Sequence, residues 1–233
     1  MEKQRAKDII LDAFQAYKKI SDKKTHYVYL RTNEGYREIV LNALGSNFMH
    51  LCGVKYIKPG ESRPVSGNQF FHLLDINNVS SKGLKIRDDG TTGQKLQVIK
   101  HLDKLTSCAS LRVIDQTTAL LNFSFQAGIR SRKHIFCLAL INTNGYYAPY
   151  SFLNYTKAFK QLPAGYPVEC IYQFNPSNNR LNILSQTELF AKWEAINPYN
   201  YRNERNDASP TYLLPERRKG YNHKNNRDRD FER

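Results

Sequence analysis

A chain of 233 residues carrying 35 Lys and Arg against 21 Asp and Glu, for a net charge of +14, has room for one sizeable domain and a surface suited to polyanions. Its 40% hydrophobic content supports a packed core and excludes a wholly disordered chain. The longest notable apolar run, Ile135 to Ile141, is far too short to cross a bilayer, so a membrane partner is not expected and a cytoplasmic location is.

The predicted elements begin with an amphipathic helix over 3–20, its apolar stripe made by Ile9, Ile10, Ala13, Phe14 and Tyr17. It does not read as a signal core. Two strands follow, His26 to Arg31 and Tyr36 to Asn42, joined through Thr32-Asn33-Glu34-Gly35. Asn47 to Val54 reads as a short extended segment containing His50. After a breaker-rich loop, Lys58 to Pro64, helices are predicted over 67–77 and from Thr91 to near Thr106. The period then changes, giving strands at Ser110 to Ile114, Leu120 to Phe125, Lys133 to Ile141, Tyr146 to Phe152 and Val168 to Phe174. Asn144-Gly145 marks a hairpin. A last short helix, Thr187 to Ile196, carries Trp193.

The expected fold class is therefore α+β: N-terminal helices packed on an antiparallel β-sheet, as one domain over 1–196. From Asn197 to Arg233 the composition turns to Asn, Arg, Asp, Glu and Lys. Such a segment buries too little surface to offset chain entropy and is expected as a mostly disordered charged tail. The four cysteines, Cys52, Cys108, Cys137 and Cys170, lack zinc-ligand spacing and read as buried thiols in a reducing compartment.

Three stretches can carry chemistry. Asp89-Gly90-Thr91-Thr92-Gly93-Gln94-Lys95-Leu96 reads as a turn into a helix, with Thr91 and Gln94 at capping-box spacing. Such a start attracts anions, so it is either a phosphate-binding corner around Thr91, Thr92 and Lys95 or an ordinary capped helix. His50, flanked by Phe48, Met49 and Leu51, can serve as general acid or base on a ribose hydroxyl, or be a core histidine satisfied by backbone. Gly128-Ile129-Arg130-Ser131-Arg132-Lys133 reads as a basic loop for an RNA backbone or as a solvated hairpin tip; Lys55 is grouped with Arg130, Arg132 and Lys133 as a nucleic-acid contact. There is no P-loop, dinucleotide fingerprint or HExxH, and no metal or cofactor is expected.

The segment Phe48-Met49-His50-Leu51-Cys52-Gly53-Val54, then Phe70-Phe71, then Asp89-Gly90-Thr91-Thr92 with Lys95-Leu96 resembles a phage nuclease family, the fourth of the phage-associated Barnase–EndoU–colicin–RelE-like (BECR) group. The resemblance covers roughly residues 5–175. It implies helices followed by an antiparallel sheet, a metal-independent ribonuclease of toxin or effector type carried by a phage or mobile element, and a site at His50, Thr91, Thr92 and Lys95. Cys52 stands where a small polar residue is expected. The alternative is a non-catalytic protein on the same scaffold that binds RNA or DNA, or a host nucleoprotein or inhibitor protein, with His50 structural.

Overall fold

The structure, a computed structural model, describes residues 2–202 apart from 33, 121–122, 157–161 and 176, together with the side chain of 120. The chain opens with helix α1 (Lys3–Tyr17), strands β1 (Lys23–Arg31) and β2 (Gly35–Ala43), and helix α2 (Asn47–Cys52). Next come β3 (Lys55–Tyr56), α3 (Gly67–Asp75), β4 (Leu84–Lys85) and α4 (Thr91–Ile99), the last tightening into a 3₁₀ segment over Lys100–Thr106. Strands β5 (Leu111–Ile114), β6 (Thr118–Leu120), β7 (Phe123–Phe125), β8 (Ala127–Ser131), β9 (Phe136–Thr143), β10 (Tyr146–Asn154), β11 (Tyr166–Phe174) and β12 (Leu181–Gln186) follow, then α5 (Glu188–Ile196).

The expected α+β class holds, but the sheet is not an open antiparallel one. Its strands run in the order β1-β2-β10-β9-β8-β5-β11, and β11 pairs back onto β1 to close a seven-stranded barrel, with β12 appended to β11. Closure follows from the length of β11. One of its edges takes β1 along Val168 to Gln173; its other partners are β5 at Tyr166 and Pro167 and β12 along Cys170 to Phe174. Register shifts after Val28 and around Tyr150 bend the strands as curvature requires. All neighbours are antiparallel except β2 and β10, which meet in parallel through one register pair, Tyr147 with Leu41.

Alternation along β1 decides what lies on each face. Tyr27 and Tyr29 join Ile39, Leu41, Leu138 and Ile171 in the main core, which α1 to α4 complete with Ile10, Phe14, Phe48, Phe70 and Leu96. Val28, Cys170 and Tyr172 point to the opposite face and are covered by Phe190 and Trp193 of α5. All four cysteines are buried and unpaired. No helix among the described residues is long and apolar enough to cross a membrane.

Several boundaries differ from the sequence reading. The segment around His50 is a helix, closed by Gly53 at φ +69°, because Phe48, Leu51 and Cys52 fall on one buried helical face. The strand expected from Leu120 to Phe125 is split into β6 and β7, with 121–122 outside the described residues. β8 and β12 were not expected as strands. The folded body also runs past Ile196. Tyr199 and Tyr201 pack beside Trp193, and Arg202 reaches the buried Glu38 at 3.2 Å, so residues 197–202 form a strap over the outer face. The rest of the expected tail, 203–233, lies outside the described residues.

Beneath the strap, Glu38 Oε2 accepts from Tyr172 at 2.8 Å and from Tyr199 at 3.2 Å. Burial by itself raises the Glu38 carboxyl, but His26, Tyr172 and Arg202 outweigh it and hold the group below its ordinary value. His26 stacks on Tyr172 at 4.3 Å, and its Nδ1 stands 3.7 Å from Glu38.

Candidate functional site

Three elements meet at one exposed corner: α2, the start of α4, and β10. β10 skips Tyr150 in its pairing with β9, since Pro149 faces Leu140 and Ser151 faces Ala139. A bulged residue has a carbonyl to spare. The Tyr150 carbonyl accepts from His50 Nε2 at 3.0 Å, and the Tyr150 ring is fixed by stacking on Phe123 at 4.9 Å. A carbonyl can only accept, so Nε2 carries the proton and the neutral ring keeps its lone pair on Nδ1.

Lys95 closes the corner from the other side. Its ammonium donates to the His50 carbonyl at 3.0 Å, capping the C-terminal end of α2, where a cation is favoured. Its stem lies against Gly53, where a Cβ would stand 2.8 Å from Lys95 Cδ. Burial first, then Lys95 and Arg87, push the His50 imidazole below its ordinary value, against the Tyr150 hydrogen bond. Burial and Arg87 push the Lys95 ammonium down as well. A neutral imidazole beside two cations is the result.

The helix start is built differently from the sequence reading. Gly90, at φ +79°, is the N-cap of α4, and Thr91 is already helical. The Thr91 N–H and hydroxyl both donate to Asp89 Oδ1, at 2.9 and 2.6 Å, so no capping box with Gln94 forms. Asp89 occupies the place an incoming anion would take and fills the expected phosphate corner with a carboxylate of the chain itself. Thr92 is fully buried; its hydroxyl donates to the Gly53 carbonyl and accepts from the Arg87 N–H at 3.1 Å. It ties α4 to α2 and positions Arg87. The cationic part of the corner is made by Lys95 and Arg87, and Arg87 was not singled out from sequence.

The basic loop is corrected too. Arg130 lies within β8, opposite Arg112 of β5, and is 3% exposed. Its guanidinium donates to the Ser131 carbonyl at 3.2 Å and to the Ala164 carbonyl, so it holds the barrel together and does not face a ligand. A charged residue at a buried strand position interrupts the apolar run and makes the strand read as a loop. Arg132 and Lys133 are exposed at the β8–β9 turn, which adjoins the far end of β10, where Asn154 pairs with Phe136, and not the bulge at Tyr150. Lys55 is exposed on β3, opposite Lys85 of β4. Cys52 is fully buried, and burial pushes its thiol up, which removes it as a nucleophile beside His50.

The family model of the phage-Barnase-EndoU-ColicinE5/D-RelE like nuclease 4 matches residues 9–200, a span that contains His50, Arg87 and Lys95 and reaches into the strap. The chain belongs to this family. Comparison with curated proteins and with solved structures found no match for either. A nuclease domain of this family acts on nucleic acid, in keeping with the +14 charge. In this BECR-type nuclease, the residues that sequence reasoning brought together at one corner are His50, Lys95 and, as a brace behind them, Thr92. A signal for the missed α2 was present: Gly53 stands directly after a six-residue stretch with buried residues at 48, 51 and 52.

Proposed function

We propose that this nuclease cleaves RNA without a metal ion, with His50 as general base and Lys95 and Arg87 stabilising the phosphate, as an effector of a phage or other mobile element. His50 Nδ1 takes the proton from a ribose 2′-hydroxyl, the 2′-oxygen forms a bond to the adjacent phosphorus, and the bond from phosphorus to the 5′-oxygen breaks. Lys95, an ammonium with a lowered pKa, supplies the proton to the leaving oxygen, and Arg87 balances the charge that gathers on the phosphate. One observation carries this reading: the hydrogen bond from Nε2 to the Tyr150 carbonyl, which leaves Nδ1 as the lone-pair nitrogen of an exposed ring beside two cations.

The test is incubation of the purified protein with a labelled RNA pool in EDTA. Cleavage leaving 2′,3′-cyclic ends is expected. His50→Ala and Lys95→Ala should each lose about 10²–10⁴-fold in rate while remaining folded. Binding without cleavage would overturn the assignment and leave the corner as part of a non-catalytic nucleic-acid-binding surface.

A further inference from the structure

A second feature lies on the other side of α4, linked to the corner through Arg87, whose N–H is held by Thr92 at 3.1 Å. Two cavities, of about 480 Å³ and 780 Å³, adjoin along this helix and share Gly93. The first is lined by Lys3, Lys85 and Arg87, and the second by Arg5, Gln97 and Lys100. Those five cations face two carboxylates, Asp88 in the first cavity and Glu2 in the second. Gly90 and Gly93 form an open backbone floor, since a Cβ built on either meets nothing within 4 Å.

Two observations say what such a groove is for. Lys55 and Lys85 stand directly opposite each other in the β3–β4 ladder, both exposed. Like charges in directly opposed positions destabilise a ladder unless an anion lies between them. Arg87 belongs to both places: it lines the first cavity and its charge acts on His50 and Lys95. A single phosphate would use one end of this array. Cations spread from the corner through two successive cavities fit a ligand that repeats its negative charge along an extended chain.

We propose that single-stranded RNA passes from the His50–Lys95 corner by way of Arg87 and lies in this groove, its phosphates on Arg87 and on Lys85 with its ladder partner Lys55, then on Lys3, Arg5 and Lys100. The path rests on the nuclease reading of the corner. An acidic protein segment would satisfy the same cations, but Arg87, which the groove shares with the corner of a nuclease, favours the nucleic acid.

The test reads binding, not cleavage. A fluorescent 2′-O-methyl oligonucleotide has no free 2′-hydroxyl and survives the enzyme, and its affinity is measured across a salt series. The double variant Arg5→Glu, Lys100→Glu should bind at least about ten-fold more weakly, with the slope of log affinity against log salt shallower by about 0.7 for each cation lost. Gly93→Leu, which fills the floor without changing charge and suits a helix, should weaken binding and leave the slope unchanged. Unchanged affinity in both variants overturns the path and assigns the groove to another partner, such as an acidic protein. A wild-type protein that does not hold the oligonucleotide overturns it as well. The two readings fail separately: groove variants that bind normally while His50→Ala abolishes cleavage sink the path alone, and groove variants that bind weakly while His50→Ala still cleaves sink the corner alone.

Discussion

The side chain of Lys95 runs across Gly53 and ends on the carbonyl of His50, 3.0 Å from it. One residue thus caps the helix that presents the imidazole and sets the charge beside it. Gly53→Ala is expected to disturb both. The added methyl meets Lys95 Cδ at 2.8 Å, and alanine at φ +69° costs about 1–2 kcal/mol. Modest destabilisation in urea together with a clear loss of cleavage is the expected outcome. Full activity in the variant would show that Lys95 does its work from elsewhere.

Cleavage should rise with pH as His50 loses its proton, with a midpoint below the ordinary value of 6.5. Lys95→Met removes one of the charges that lower it, so the midpoint should move up even as the rate falls. The same shift acts on stability. Between the depressed folded value and 6.5 the unfolded chain binds the proton more readily, so the His50 contribution to stability is present above 6.5 and is lost as pH falls through the folded value. Following the His50 ring by NMR beside the pH–rate profile checks both; a midpoint above 6.5 in the wild-type protein contradicts the assignment.

Thr91 and Thr92 should behave differently despite their adjacency. Thr92→Val leaves the Gly53 carbonyl and the Arg87 N–H without their partner and should cost about 1–3 kcal/mol in denaturant unfolding. Thr91→Ala removes a partly exposed hydroxyl bound to Asp89 and should cost about 1 kcal/mol or less. Equal losses would mean that Thr92 is not the tie between α2 and α4.

The strap gives a further expectation. A chain ended at Arg202 and one ended at Ile196 differ by the segment that carries Tyr199, Tyr201 and Arg202. The shorter chain uncovers Trp193 and takes two partners from Glu38. It should melt lower by at least about 2–4 °C, the change that about 1 kcal/mol makes in a domain of this size. Glu38→Leu should offset part of the loss in the shorter chain, because it removes a carboxylate left without its cation. Identical melting of the two truncations would mean that the strap adds nothing to the fold.

Where hydrophobic period and turn chemistry agreed, the elements were legible. Asn144-Gly145 does join β9 to β10, with φ of +55° and +91° at the two residues. The apolar stripe of α1 likewise fixed its buried face. The site was legible as a set of residues but not as a shape. His50, Lys95 and Thr92 stand out by type, whereas the bulge at Tyr150 and the reach of Lys95 over Gly53 depend on tertiary contacts. Arg87 carried no motif to single it out, lying in the loop between β4 and α4, and Arg130 read as a loop cation because a surface cation and a buried one look alike until the strand that carries it is placed. The strap escaped notice because Tyr199 and Tyr201 bury rings on alternate residues in a segment otherwise without aliphatic side chains.

The parallel joint between β2 and β10 is the narrowest seam in the barrel, registered only through Leu41 and Tyr147. α2 follows directly on β2, and His50 reaches from it to the Tyr150 carbonyl of β10. The imidazole is therefore also a rivet across that seam. When it is protonated the Nε2 bond survives, but when the seam opens both the rivet and the tautomer it enforces are lost together. Slow amide exchange along Leu41 and Tyr147 would then mark the population of molecules armed to act, and transient parting of these two strands would switch single molecules off without unfolding them.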